Sequence, residues 1–174
     1  MRTTEGHVKP NPDRLGLSYR FIGHALKQGG IVYNNVAGNQ KGGNRMFDYT
    51  VETPKTVDEA ITALERTLSD HQFGVLWKLD IPTKLMEKGI ALEQDFRVLE
   101  VCNPDIAKKV LIRNQKGGYF LPCKIVVYRS EETLKTHIGL LRPTSLMAMT
   151  EDEDLKQIAA EVEKTMIRVI DEAK

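Results

Sequence analysis

The stretch that most limits what this chain can become is its last one, where Leu155, Ile158, Ala159, Val162, Met166, Val169 and Ile170 recur at helical spacing. The stripe predicts a helix of about five turns. Thr150 and Glu153 stand ahead of it at capping-box spacing. Acidic residues 151–154 lie at the positive end of its dipole, with Lys164, Arg168 and Lys174 toward the negative end. A helix this long and one-sided needs a broad apolar surface to lie against, and a β-sheet is the surface that fits.

The strands for such a sheet are legible upstream. Phe47 to Val51 reads as a strand closed at Thr53-Pro54. Thr56 with Glu59 forms a capping box, and Val57, Ala60, Ile61, Leu64 and Leu68 make one apolar stripe, which predicts a helix over 56–70. Phe73, Val75, Trp77 and Leu79 alternate as one face of a half-buried strand, followed by a short helical segment from Ile81 to Lys88 that Gly89 stops. Further strands are expected at 96–101, 123–129 and 134–141, the last two joined as a hairpin across 130–132, with a short helix after Asn103-Pro104. The sum is an α+β layer: a mainly antiparallel five-stranded sheet with helices on one face, in the order β-α-β-β-β-β-α. Leu76, Leu99, Val126, Tyr128 and Leu141 fall in the second phase of their strands, and an apolar second face predicts a homodimer.

Ahead of this domain the composition changes. Residues 1–45 hold seven Lys/Arg against two Asp/Glu and eight of the 13 glycines, so this arm carries about +5 while residues 46–174 carry about −4. Such a basic, Gly/Asn-rich arm is expected to be irregular or to depend on a neighbour for order, although Leu17 to Leu26 can line a short helix and Ile31 to Tyr33 a brief strand. Met46 reads as an alternative start. The run from Gln40 to Arg45 suits a solvated linker better than a phosphate cradle, and nucleic-acid binding through the arm is a weak reading. No run of 18 apolar residues and no secretory segment is present, so a cytoplasmic protein without a membrane span is expected.

Chemistry concentrates between Phe96 and Tyr128. Both cysteines of the chain, Cys102 and Cys123, lie there beside Pro104 and Pro122, and Asn103 is a good N-cap for the helix that follows. A thiol just ahead of a helix N-terminus can have its pKa lowered and become nucleophilic, which makes Cys102 a candidate reactive sulfur and Cys123 its resolving partner. The alternative is that both are small buried hydrophobes, in a module that binds a small ligand or a protein partner. Lys108, Lys109, Arg113 and Lys116 form a basic row able to draw an anionic ligand toward the cysteines, or simply a solvated helix face. The candidate binding residues are therefore Asn103, Pro104, Pro122 and Lys108. The spacing matches no zinc pattern, lone His71 and His137 read as surface or strand residues, and no hydrolase elbow or Walker loop occurs, so neither a metal nor a cofactor is expected. Met147 and Met149 read as packing residues ahead of the last helix.

Residues 73–76 (Phe-Gly-Val-Leu), 97–104 (Arg-Val-Leu-Glu-Val-Cys-Asn-Pro) with Ala107, and 121–123 (Leu-Pro-Cys) leading into Ile125-Val126-Val127 resemble the domain of unknown function 302 family. The resemblance spans residues 46–174 and leaves the arm outside. It implies a curved sheet similar to that of the TATA-binding protein, frequent dimers and no settled activity. One departure is Arg142 before Pro143, where the resemblance leads one to expect an acidic residue.

Overall fold

The computed structural model describes residues 47–174, which lie within one compact unit. The expectations for the N-terminal arm, including its short helix, its brief strand and the run from Gln40 to Arg45, fall outside the described residues. Along the described chain β1 (Asp48–Thr53) leads to α1 (Val57–Asp70), β2 (Gly74–Asp80) and a short α2 (Ile81–Met86). Then come β3 (Phe96–Cys102), α3 (Pro104–Arg113), a 3-10 turn (Gln115–Phe120), β4 (Cys123–Arg129), β5 (Thr136–Leu141), a short α4 (Pro143–Met147) and α5 (Glu153–Ala173). The five strands make one antiparallel sheet in the order β1-β5-β4-β3-β2, with β1 and β2 at its edges.

Helices α1 and α5 cover one face because their stripes match it. Thr56 caps α1 as the capping box requires, its hydroxyl accepting from the Glu59 N–H while the Glu59 carboxylate accepts from the Thr56 N–H. Val57, Ala60, Ile61, Leu64 and Leu68 of α1 and Val162, Met166, Val169 and Ile170 of α5 are buried in one core with Leu99, Val101, Ile125, Val127, Ile138 and Leu140 of the central strands. Each large aliphatic side chain buried this way contributes about 1.5–3 kcal/mol relative to exposure, which is why the two one-sided helices hold their places on the sheet.

Four local expectations are corrected. The strict alternation along β2 fails because a bulge lies between Val75 and Trp77: Val75 pairs with Val101, but Trp77 pairs with Glu100 and Leu79 with Val98. The extra residue moves Trp77 and Leu79 to the uncovered face, leaves Trp77 55% exposed, and turns Lys78 toward α1, where it meets Glu65 at 2.8 Å. Leu99 was expected on the second face, yet it pairs with Ile125 and is fully buried beneath the helices. α5 is capped by Asp152, whose carboxylate accepts from the Leu155 N–H at 3.2 Å. Thr150 instead donates its hydroxyl to the Met147 carbonyl at 3.0 Å, since α4 occupies the preceding residues. Met147 is buried, whereas Met149 is 81% exposed and lies outside the core.

Cross-strand partners share a face, so the register assigns Phe96, Val98, Val126 and Tyr128 to the uncovered side. The rings of Phe96, Tyr128 and His137 stack along it, with centroid separations of 5.4 and 5.1 Å.

Arg142, the residue that departs from expectation, ties the sheet to α5. Its Nη1 donates to Glu163 at 2.7 Å and its Nε to the Asp48 carbonyl at 2.9 Å, and its guanidinium lies 5.6 Å from the centre of the Tyr49 ring. Thr144 donates to the same carboxylate from its N–H, at 3.0 Å, and from its hydroxyl. A glutamate only 8% exposed in the middle of an apolar stripe is thus fully partnered.

Candidate functional site

The site forms where β3 ends and β4 begins. Pro104 has no N–H for a ladder, and the residue before a proline is held extended, so β3 stops at Cys102 and Asn103 turns the chain into α3. The Asn103 side chain accepts from the N–H groups of Asp105 at 3.0 Å and Ile106 at 3.1 Å. After α3, Asn114 caps the 3-10 turn by accepting from the Lys116 N–H at 3.0 Å. Gly117 is buried against Val110, and any Cβ there would collide with Val110 Cγ1, so only glycine lets the turn fold back onto α3. The turn delivers Leu121 and a cis Pro122 to the start of β4.

These elements enclose a cavity of about 340 Å³ between the sheet end, α3, the 3-10 turn, α4 and α5. Its walls are mainly apolar, built from residues such as Phe73, Ile106, Val110, Phe120, Leu146 and Ile158. Tyr119, 87% exposed, stands among its lining residues. Of the sequence candidates, Cys102, Asn103, Pro122 and Cys123 all line it. Pro104 and Lys108 are exposed and do not. Arg113 is engaged by Asp154 at 2.7 Å and lies 3.8 Å from Asp152, which weakens the basic row as an anion attractor. At the rim Lys124 and Glu100 pair at 3.3 Å.

Both cysteines line the cavity and are free thiols. The ladder pairs Cys123 with Val101, so Cys102, one residue on, belongs to the opposite phase of the sheet where β3 ends. Neither is activated. Burial pushes the Cys102 thiol above its ordinary value. Burial, then the proximity of Cys102, pushes Cys123 up to about 11. The expectation of a lowered thiol at the helix N-terminus fails for a local reason: the Asn103 side chain takes the first free N–H groups, and the Cys102 thiol lies 3.6 Å from the Asn103 carbonyl. Both thiols are protonated at neutral pH.

The wall residues from α4 and α5 carry no signal of their own in the sequence, because Leu155, Ile158 and Ala159 read there only as helix packing and Leu146 belongs to no pattern. Among the described residues no group of three or more His, Cys, Asp or Glu is placed to hold a metal ion, and no helix is long and apolar enough to cross a membrane.

Comparison with known proteins places this arrangement. The family model described as "Domain of unknown function DUF302" matches residues 49–173. A solved structure described as an uncharacterized conserved protein DUF302 from Bacillus stearothermophilus is similar at 43% identity, over 74% of this chain and 99% of that one, with a TM-score of 0.71. No curated protein matches the chain. The match runs from β1 through α5 and takes in every wall of the cavity, and on that ground the chain belongs to the DUF302 family.

Proposed function

We propose that this protein is a binding module that takes a small, largely apolar molecule into the cavity beside Cys102 and Cys123. The observation that carries the reading is the chamber itself, about 340 Å³ and apolar on most sides, with Asn103 and two neutral thiols as its inner polar groups. Ligand sites are typically concave, mostly apolar and furnished with a few convergent polar groups. The raised thiols favour a cavity that holds a guest over one that attacks it.

The test is a fluorescence titration of the full chain with 1-anilinonaphthalene-8-sulfonate. Ala107 lines the cavity from α3, and Ala107→Phe places a ring inside it. The variant is expected to unfold as cooperatively as the parent while losing at least about tenfold in probe affinity; Lys109→Ala, on the exposed side of α3, is the control. Equal affinity in parent and Ala107→Phe would remove the cavity from the reading.

The uncovered sheet face, with its stack of Phe96, Tyr128 and His137 and its exposed Trp77, supports pairing with a second copy. Sedimentation equilibrium is expected to return twice the chain mass, reduced to one by Val98→Asp. A parent that sediments as a single chain contradicts the pairing.

A further inference from the structure

We propose that the guest of the chamber is a neutral, mainly apolar carbonyl compound (a ketone, ester or amide) whose oxygen accepts a hydrogen bond from the Asn103 side-chain amide. This guest class rests on the reading of the chamber as a binding site, and adds to it the polar contact that orients the occupant.

Asn103 uses only half of its carboxamide within the fold. Its Oδ1 accepts from the N–H groups of Asp105 and Ile106, which caps α3 and fixes which end of the group is oxygen. The other end, Nδ2, carries two N–H donors and has no hydrogen-bond partner among the described residues. The residue is only 7% exposed, and a polar group buried to that degree is ordinarily hydrogen-bonded. Unlike the Thr136 and Ser145 hydroxyl oxygens, which are unpartnered and sealed, Nδ2 keeps some accessible surface. The accessible space that Asn103 lines is the chamber.

The rest of the lining narrows the class. Glu100 and Lys124 are its charged residues, and they pair with each other at 3.3 Å at the rim. No uncommitted charge is left among the described lining residues to receive a charged guest, and burying a charge without a partner is costly. The thiols are weak donors, and the Cys102 thiol already lies 3.6 Å from the Asn103 carbonyl. The strong donor left over is the Asn103 amide, and its neutral complement is a carbonyl oxygen. A hydrocarbon guest would strip Nδ2 of water and leave it unpaired, whereas a carbonyl restores the bond.

The test is an NMR titration of the isotope-labelled full chain with three molecules of one outline: acetophenone, isopropylbenzene and benzoate. Backbone signals of Ile106 and Ala107 report occupancy of the chamber they line. The Asn103 side-chain amide signal, identified by its loss in Asn103→Asp, reports the contact. Aspartate keeps the cap, because its carboxylate accepts from the same N–H groups, but it has no N–H to donate. Acetophenone is expected to move the Asn103 amide signal downfield, and isopropylbenzene to leave it in place. The ratio of acetophenone affinity to isopropylbenzene affinity is expected to fall at least about tenfold in Asn103→Asp, a comparison in which the cost of drawing each molecule from water cancels. Benzoate is expected to bind at least about tenfold more weakly than acetophenone. Should Asn103→Asp fail to fold, Asn103→Ser, which also caps and lacks the amide, reads the same ratio. An unchanged ratio, a silent Asn103 amide or a preference for benzoate overturns the guest class while the chamber reading stands, since Ile106 and Ala107 still respond. Signals of Ile106 and Ala107 unmoved by all three molecules remove the chamber as a binding site and the guest class with it.

Discussion

Leu99→Ala will destabilise the fold by about 3–4 kcal/mol, while Val98→Ala one residue earlier will cost about 1 kcal/mol or less. The two side chains are adjacent in β3 and similar in chemistry, and the register separates them. Leu99 pairs with Ile125, which pairs in turn with Leu140, and all three are fully buried beneath α1 and α5. Truncation there removes the transfer energy of the lost atoms and leaves a cavity that helices packed on a sheet cannot close. Val98 pairs with Val126 on the uncovered face and is only partly buried. Urea denaturation of both variants at one protein concentration measures the difference. Equal losses would mean that the phase of β3 is wrong, and with it the assignment of the cavity to the helix side.

Arg142→Met is expected to cost about 2–3 kcal/mol, short of the full penalty of about 3–5 kcal/mol for breaking a buried pair. The discount reflects Arg142, whose side chain is 26% exposed against 10% for Glu163. Burial works against ionisation of Glu163, but the hydrogen bonds from Thr144 and Arg142 outweigh it and hold the carboxyl below the ordinary glutamate range. A carboxyl lowered by folding stabilises the native state fully above its unfolded value of about 4.3, and that contribution is lost as pH falls through the lower folded value. Acid titration of stability should therefore fall more steeply below about pH 4 in the parent than in Glu163→Gln. Parallel curves would contradict the role given to the pair.

How much of this was legible beforehand depends on the kind of signal. The capping box at Thr56 and Glu59 and the stripes of α1 and α5 are local and periodic, so they identify both helices and the face each buries. The five strands and their antiparallel layer follow from the same patterning. The bulge after Val75 was not legible, because one unpaired residue shifts the phase of Trp77 and Leu79 without altering their spacing. Thr150 looked like the cap of α5 because the sequence does not show that the end of α4 claims its hydroxyl, nor that Asp152, two residues closer, takes the capping role. At the site, prolines and caps marked Cys102, Asn103, Pro122 and Cys123, but Lys108 and Pro104 point to solvent-facing positions that only the path of α3 reveals. Arg142 stood out as a departure from the family pattern; its partner Glu163 did not, since a charged residue beside an apolar stripe usually faces water.

The most direct test of the cavity as a binding chamber is a crystal structure of the full chain with 1-anilinonaphthalene-8-sulfonate bound. The account predicts the naphthalene ring between Ile106, Val110 and Ile158, close to both sulfurs. A ring lying instead on the open sheet face against Trp77 and Tyr128, with ordered water filling the cavity, would contradict it.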